Sequence, residues 1–278
     1  EGFGAWAAAR SLGNDPAPGG YLGRRLWALK NLSELQAAEG RQPHVRDAWM
    51  RGIQVMAARQ TQGSADGFYV AAKGGHNNES HNHNDVGNFI VYYDGSPVLV
   101  DAGVGVYTAK TFSARRYEIW TMQSAWHNLP TINGGMQRDG RQFAAADVSY
   151  DTDDGGATFG MDISGAYPDE AGVGRWHRTV RLDRGAESVT VDDEFELARR
   201  DGELAMNLLT YCRAESNGDG TIELTGEDQG KEYSVTLEHD QRLVVAVETV
   251  ELDDRRLESS WGDRLYRIRL TASPDSPL

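Results

Sequence analysis

The sequence contains one cysteine, Cys212, so no intrachain disulfide can form and the fold rests on its core. A lone buried thiol is compatible with the bacterial cytoplasm, the periplasm or secretion. No apolar run reaches the length of a membrane span, so no transmembrane helix is expected. Positive charge is scarce. Lys and Arg number 28 against 42 Asp and Glu, a formal net charge of -14, which argues against the basic face that nucleic acid or an anionic membrane requires. An anionic sugar is not excluded, because a polyuronide needs only a few local cations, and Lys73, Lys110, Arg115 and Arg116 lie near the histidine-rich stretch. No repeat of fixed period is present. The chain opens at Glu1 without a charged-then-apolar leader, and the expectation is a piece of something longer.

What is present divides at about residue 45. Leu22, Leu26, Leu29 and Leu32 fall on one stripe between Tyr21 and Ala38, with Gly40 as a stop, and Ala5 to Arg10 reads as a second short helix. Two short helices cannot make a core alone. From about residue 52 the period changes to two, with Ile53, Val55 and Ala57 as its first apolar positions. Strands are predicted over 68–72, 88–93 and 97–101, the last two joined by the turn Asp94-Gly95. Beyond residue 142 the pattern is strand and turn only: 157–164, 175–182, 188–197, 203–211, 221–224, 233–237, 243–250 and 265–271. The turn at Arg184-Gly185 separates Val180 and Leu182 from Val189 and Val191, each flanked by polar residues, as in half-buried antiparallel strands. Many short strands without alternating helices predict a mainly β fold, a large antiparallel β-sandwich over 46–278 with a helical segment over 1–45.

The chemistry concentrates in Lys73-Gly-Gly-His76-Asn-Asn-Glu79-Ser-His81-Asn-His83-Asn-Asp85-Val-Gly87, which holds three of the seven histidines. If this stretch is extended, His81 and His83 leave the same face about 7 Å apart, close enough to share a metal or serve adjacent sites. Asp101 ends a predicted strand, and His127 follows in Ala125-Trp-His127-Asn128. Two His and one Asp from separate segments, with water as a fourth ligand, is a common zinc set, whereas an HxH pair alone is more often incidental. The asparagines equally suit loop-shaping turns, and Trp120 and Trp126 suit a core.

These residues resemble a known family. Gly75-His76, Ser80-His81-Asn-His83-Asn-Asp85-Val-Gly87-Asn-Phe89, Pro97-Val-Leu-Val-Asp101-Ala-Gly103, Tyr107, Arg115-Arg116-Tyr117 and Ser124-Ala-Trp-His127-Asn128 occur in the order seen in the C-terminal region of the heparinase II/III-like polysaccharide lyases. Alginate and oligoalginate lyases of the same toroid-plus-sandwich plan are similar. Downstream, Ile163-Ser-Gly-Ala-Tyr167 and Trp176-His-Arg-Thr-Val-Arg181 resemble the family's sandwich strands.

The resemblance implies that His83, Asp101 and His127 hold a zinc of structural role, and that His81 faces substrate with Tyr107 beside it as the catalytic pair. His76, Glu79, Arg115 and Arg116 are then candidates to contact substrate, an acidic polysaccharide or oligosaccharide cut by β-elimination. It also implies that residues 1–45 end an α/α toroid that carries the rest of the catalytic groups. A homodimer is compatible with this reading. Two alternatives stand beside it: a non-catalytic glycan-binding or scaffold domain, and a cupin-like metalloenzyme, which would need a carboxylate shortly after His83 where Val86 and Gly87 stand.

Overall fold

The computed structural model describes residues 44–272, together with Gly23 and Leu26. The helices expected over Ala5–Arg10 and Tyr21–Ala38 lie outside the described residues, apart from Gly23 and Leu26, which are helical. The chain divides into two units, residues 1–46 with 61–64 and residues 47–60 with 65–278. The second unit carries the described strands and the candidate site.

Its strands begin with β1 (Asp47–Met50), β2 (Val55–Arg59), β3 (Phe68–Lys73), β4 (His76–Asn77), β5 (Phe89–Tyr93) and β6 (Ser96–Leu99). Short 3-10 turns between 110 and 126 lead to β7 (Pro130–Ile132), β8 (Gly140–Ala144), β9 (Ala146–Thr152) and β10 (Gly156–Asp162). Then follow β11 (Val173–Asp183), β12 (Ser188–Leu197), β13 (Leu204–Thr210) and β14 (Arg213–Ser216). The series closes with β15 (Thr221–Asp228), β16 (Lys231–Glu238), β17 (Leu243–Glu251), helix α1 (Arg255–Trp261) and β18 (Arg264–Ala272).

A nine-stranded sheet in the order β1-β2-β3-β5-β6-β13-β18-β17, with β7 paired to β13, faces a four-stranded sheet β12-β11-β10-β9. Sheets β14-β15-β16 and β4-β8 complete the fold. Every described pairing is antiparallel, and the predicted β-sandwich is the fold. One core joins the inner faces, with Met56, Val70, Phe89 and Ile268 from the large sheet meeting Phe159, Trp176, Val180 and Leu182 from the small one. Alternating burial along strands such as β2 and β11 gives each sheet an inner face, and the two inner faces stack.

The turns signalled by sequence form as expected. Asp94 and Gly95 both take positive φ, 50° and 81°, the backbone a two-residue hairpin between β5 and β6 requires. Val180 pairs with Val191 and Leu182 with Val189 across the turn that starts at Arg184-Gly185. The first period-two segment differs by one register. Met56 and Ala58 are the fully buried positions of β2, while Ile53 stands exposed in the preceding turn. That turn, with Gln54 at a φ of 52°, delays the strand, and a one-residue slip exchanges its two faces. Strands β1, β8, β9 and β14 and helix α1 carry no long apolar alternation, and only Leu257 of α1 is buried, so pattern alone does not reveal them.

Candidate functional site

The histidine-rich stretch leaves β3 and returns to β5 as a loop closed at its base. Gly87 N donates to Lys73 O at 2.9 Å and Lys73 N to Asn88 O at 3.0 Å. Gly87 takes a φ of 87°, and a Cβ there would stand 2.8 Å from Ile163 Cγ2, so the position needs glycine on both counts.

The asparagines are the loop's stitching. Buried Asn77 accepts from Asp85 N at 3.1 Å and donates to Gln137 Oε1 and Arg138 O, both at 3.0 Å. Gln137 clamps Val86 through both N–H (3.0 Å) and C=O (2.7 Å). Asn84 N donates to Met122 O at 3.0 Å, and Asn82 Nδ2 to the Tyr117 hydroxyl at 3.1 Å. A buried amide group lacking such partners would cost about 1–3 kcal/mol, which explains why Asn crowds a loop that buries little apolar surface.

The loop is not extended, so the strand argument for His81 and His83 does not hold. His81 sits at a φ of 59°, the left-handed region that a non-glycine residue enters at a cost of order 1–3 kcal/mol. That turn sends the two imidazoles to different neighbours. His83 turns to His127, with ring centroids 5.5 Å apart, while His81 turns to Tyr107, 6.0 Å away by the same measure. A cupin-like reading, which needs the HxH pair on a barrel strand, fails here.

His83, Asp101 and His127 form one cluster in which a ligand atom from each lies within 4.8 Å of the others. Asp101 follows β6 and is held on three sides: Asn88 Nδ2 donates to Oδ2 at 2.8 Å, Gly103 N to Oδ1 at 2.7 Å, and His127 Nδ1 stands 2.9 Å from Oδ2. His127 is 1% exposed; its Nδ1 faces the Asp101 carboxylate, and its Nε2 has no hydrogen-bond partner among the described residues. A buried imidazole nitrogen without a partner, beside a carboxylate and a second imidazole, is what a metal would satisfy, and His2Asp with one open position suits zinc. Burial works against the ionised Asp101 carboxyl, but the His127 and His83 imidazoles and the Gly103 amide outweigh it and hold the group well below the usual carboxylate range. Burial likewise opposes a charged His127, yet the Asp101 carboxylate raises it on balance, whereas burial wins at His83 and pushes it down. A cluster with one firm anion and one imidazole biased to neutrality is set to take a cation.

His81 and Tyr107 form the second half of the site. The Tyr107 hydroxyl lies 3.4 Å from His81 Nδ1, both residues are exposed, and Tyr107 also meets the Phe112 ring at 5.4 Å. The other predicted contact residues stand differently. His76 pairs with Ala144 in the β4-β8 ribbon and its Nδ1 accepts from Asn78 N at 3.1 Å. The Glu79 backbone is fixed by Asn82 Oδ1 at 3.1 Å. Arg115 is exposed and forks onto Glu118, whose carboxyl Arg115 and Lys110 hold at about 2. Arg116 is half-buried and donates to the carbonyls of Asn82 (2.8 Å) and Thr111 (2.9 Å). Lys73 pairs with Asp85 at 2.7 Å. Trp120 and Trp126 are half-buried and pack edge-on at 5.1 Å.

Three residues that sequence reasoning passed over organise the cluster. Asn128 donates to Phe89 O (2.6 Å) and Val100 O (3.3 Å) and accepts from Leu209 N (2.7 Å). Asn88 accepts from Asn128 N at 2.9 Å while it holds Asp101. Arg178, on β11, reaches across the sandwich to the Gly87 and Asn128 carbonyls at 3.0 and 2.8 Å. The signal was adjacency: Asn88 and Asn128 flank Gly87 and His127 inside the motifs already singled out.

The family model described as "Heparinase II/III-like, C-terminal" matches residues 41–274. The chain belongs to the heparinase II/III-like family. Solved structures agree on the fold. The chain of a heparinase III gene product aligns with a TM-score of 0.66 at 15% identity, over 91% of this chain and 39% of that one. Heparan sulfate lyase HepC from Pedobacter heparinus aligns with a TM-score of 0.66 at 14% identity, over 96% and 39%. A structure of heparinase III aligns with a TM-score of 0.62 at 14% identity, over 86% and 36%. The heparinase II/III-like chain thus spans about two-fifths of the length of these relatives. A sequence comparison with curated proteins returned no match.

Proposed function

We propose that this chain is the zinc-bearing β-sandwich of a polysaccharide lyase that cleaves uronic-acid-containing glycans by β-elimination. The observation that carries the reading is the pairing of two sites in one loop: His83 joins Asp101 and His127 within 4.8 Å, while His81 meets Tyr107 at 3.4 Å. Family membership over residues 41–274 supports the reaction class.

β-Elimination removes the proton at C5 of the uronate, breaks the C4–O4 bond, forms a C4=C5 double bond and returns a proton to O4. A group that accepts the first proton and a group that supplies the second must stand within hydrogen-bond reach of those atoms. His81 Nδ1 and the Tyr107 hydroxyl are suited to this pair of tasks, because a proton gained by one can pass to the other across the contact they already make. His76 and Glu79 of the same loop, with Arg115 and Arg116 at the 3-10 segment, are the proposed contacts for the sugar.

His83, Asp101 and His127 would hold the zinc. Bound there, the metal supplies a cross-link between the loop, the end of β6 and the segment before β7. This assigns it a structural role and leaves proton transfer to His81 and Tyr107. Residues 1–45 are proposed as the end of a helical toroid that lies mostly outside this chain, and an acidic polysaccharide or oligosaccharide as the substrate.

The test is ultraviolet absorbance of an unsaturated uronate released by the full-length protein from glycosaminoglycans, alginate and related polymers. Absence of product on every polyuronide, with the protein folded and zinc-loaded, rejects the reading.

A further inference from the structure

The cations that sequence offers for an anionic sugar all carry partners within the protein. Lys73 pairs with Asp85 at 2.7 Å, Lys110 and Arg115 pair with Glu118 at 3.1 and 2.8 Å, and Arg116 is directed at two backbone carbonyls. A guanidinium held by a carboxylate must give up that partner before it takes another. Lys73, Lys110 and Arg115 are therefore not ready anion receptors, and the one nitrogen of Arg116 left without a partner, Nη2, is buried.

Arg256 is different. It lies in the first turn of α1, far downstream of Tyr107 in the sequence. Asp254 caps α1, accepting from Arg256 N at 2.9 Å and Leu257 N at 3.3 Å, and its other oxygen accepts from Val106 N at 2.8 Å. That last bond ties the start of the helix to the segment that carries Tyr107. It places the Arg256 guanidinium carbon 5.4 Å from the centroid of the Tyr107 ring, within cation-π range. Arg256 is exposed, and among the described residues no carboxylate pairs with its guanidinium. The carboxylate two residues before it is engaged by three backbone amides. On the same ring, Phe112 is 70% exposed at 5.4 Å and offers an apolar face.

We propose that Arg256 is a substrate-binding residue that receives an anionic group, carboxylate or sulfate, of a sugar bound at the His81–Tyr107 pair. The inference rests on the lyase reading and names the protein group that meets the substrate's charge. Stacking on Tyr107 restrains the guanidinium while leaving its planar fork of N–H donors toward solvent, the geometry that carboxylate and sulfate oxygens match two at a time. Association of a polyanion with a protein of net charge -14 makes one unneutralised cation beside the reacting pair a strong determinant of where the sugar sits.

The experiment uses the full-length protein in a His81→Ala background, so that bound oligosaccharide is not consumed. Titration calorimetry compares this parent with its Arg256→Ala and Arg256→Lys derivatives, using a uronic-acid oligosaccharide and its sulfated counterpart. The expected result is a loss of affinity of about 10- to 100-fold for Arg256→Ala, partial recovery in Arg256→Lys, and an unchanged thermal midpoint. A loss confined to the sulfated ligand assigns the group as sulfate; an equal loss on both assigns the carboxylate. Arg256→Ala binding both ligands as tightly as its parent overturns the proposal. Absorbance of the unsaturated product from the unmutated protein reports separately on the reaction. Binding that depends on Arg256 without elimination rejects the lyase reading alone; elimination with Arg256-independent binding, or with no binding to the His81→Ala parent, rejects the Arg256 role alone; no binding and no elimination by the unmutated protein rejects both.

Discussion

The guanidinium of Arg178 reaches across the sandwich to the carbonyl oxygen of Asn128 at 2.8 Å, the residue directly after His127. The same nitrogen also takes the Gly87 carbonyl, and the rest of the fork is held by Asp193 at 2.7 and 2.8 Å. A fully buried guanidinium, paired with a largely buried carboxylate on the small sheet, therefore fixes the base of the histidine loop and the segment of His127 together.

Replacing Arg178 by Met removes five hydrogen bonds at once and leaves Asp193 largely buried without its cation. The expected cost is about 3–5 kcal/mol, read from the chemical denaturation midpoint. In the double variant Arg178→Met, Asp193→Leu the cost should be smaller than for Arg178→Met alone, because the stranded charge goes with it. Equal costs would show that the pairing with Asp193 is not what holds this guanidinium in place.

His83→Ala and His127→Ala are each expected to abolish stoichiometric zinc, measured by elemental analysis of extensively dialysed protein. Chelation of the wild type should lower its thermal midpoint toward that of the variants. Metal-free protein of undiminished stability would remove the metal from the account.

Asn88 is not among the three candidate ligands, yet it donates to Asp101 Oδ2 and accepts from Asn128 N. Asn88→Ala should retain the three ligands but bind zinc about 10- to 100-fold more weakly. A competition titration against a chelator of known affinity measures this, and an unchanged affinity would mean that Asp101 is oriented by its other contacts alone.

Tyr107→Phe keeps the ring and its contacts with Phe112 and Arg256 but deletes the hydroxyl that faces His81. On the full-length protein it is expected to lower kcat by about 100- to 10,000-fold with little change in KM or zinc content. A fall in KM-linked binding with kcat preserved would make Tyr107 a substrate platform instead.

Much of the fold was legible because burial writes a period of two into the chain. Val180, Leu182, Val189 and Val191 announced their pairing, and Asp94-Gly95 announced its hairpin. The register of β2 was not legible, since Ile53, Val55, Met56, Ala57 and Ala58 are all small or apolar and only pairing with β1 and β3 selects the buried face. Helix α1 was missed for a related reason. One buried leucine leaves no stripe, and the Asp254 cap was its sole local signal.

The candidate site divides the same way. The sequence by itself determined which residue types were present and in what order: the HxH pair, the Asp after a buried strand, the His127-Asn128 step and the glycine that only a left-handed, crowded position explains. Tertiary structure alone decided how they combine. His81 and His83 do not share a strand face, because the loop turns through left-handed backbone at His81 and buried asparagines, not a ladder, hold it. The Arg115–Glu118 pair is local, three residues apart, whereas tertiary structure alone set Arg256 over Tyr107, since charge in a sequence says nothing of which distant groups meet. Local chemistry is written residue by residue, whereas the balance of burial, pairing and free charge is settled only when distant segments pack.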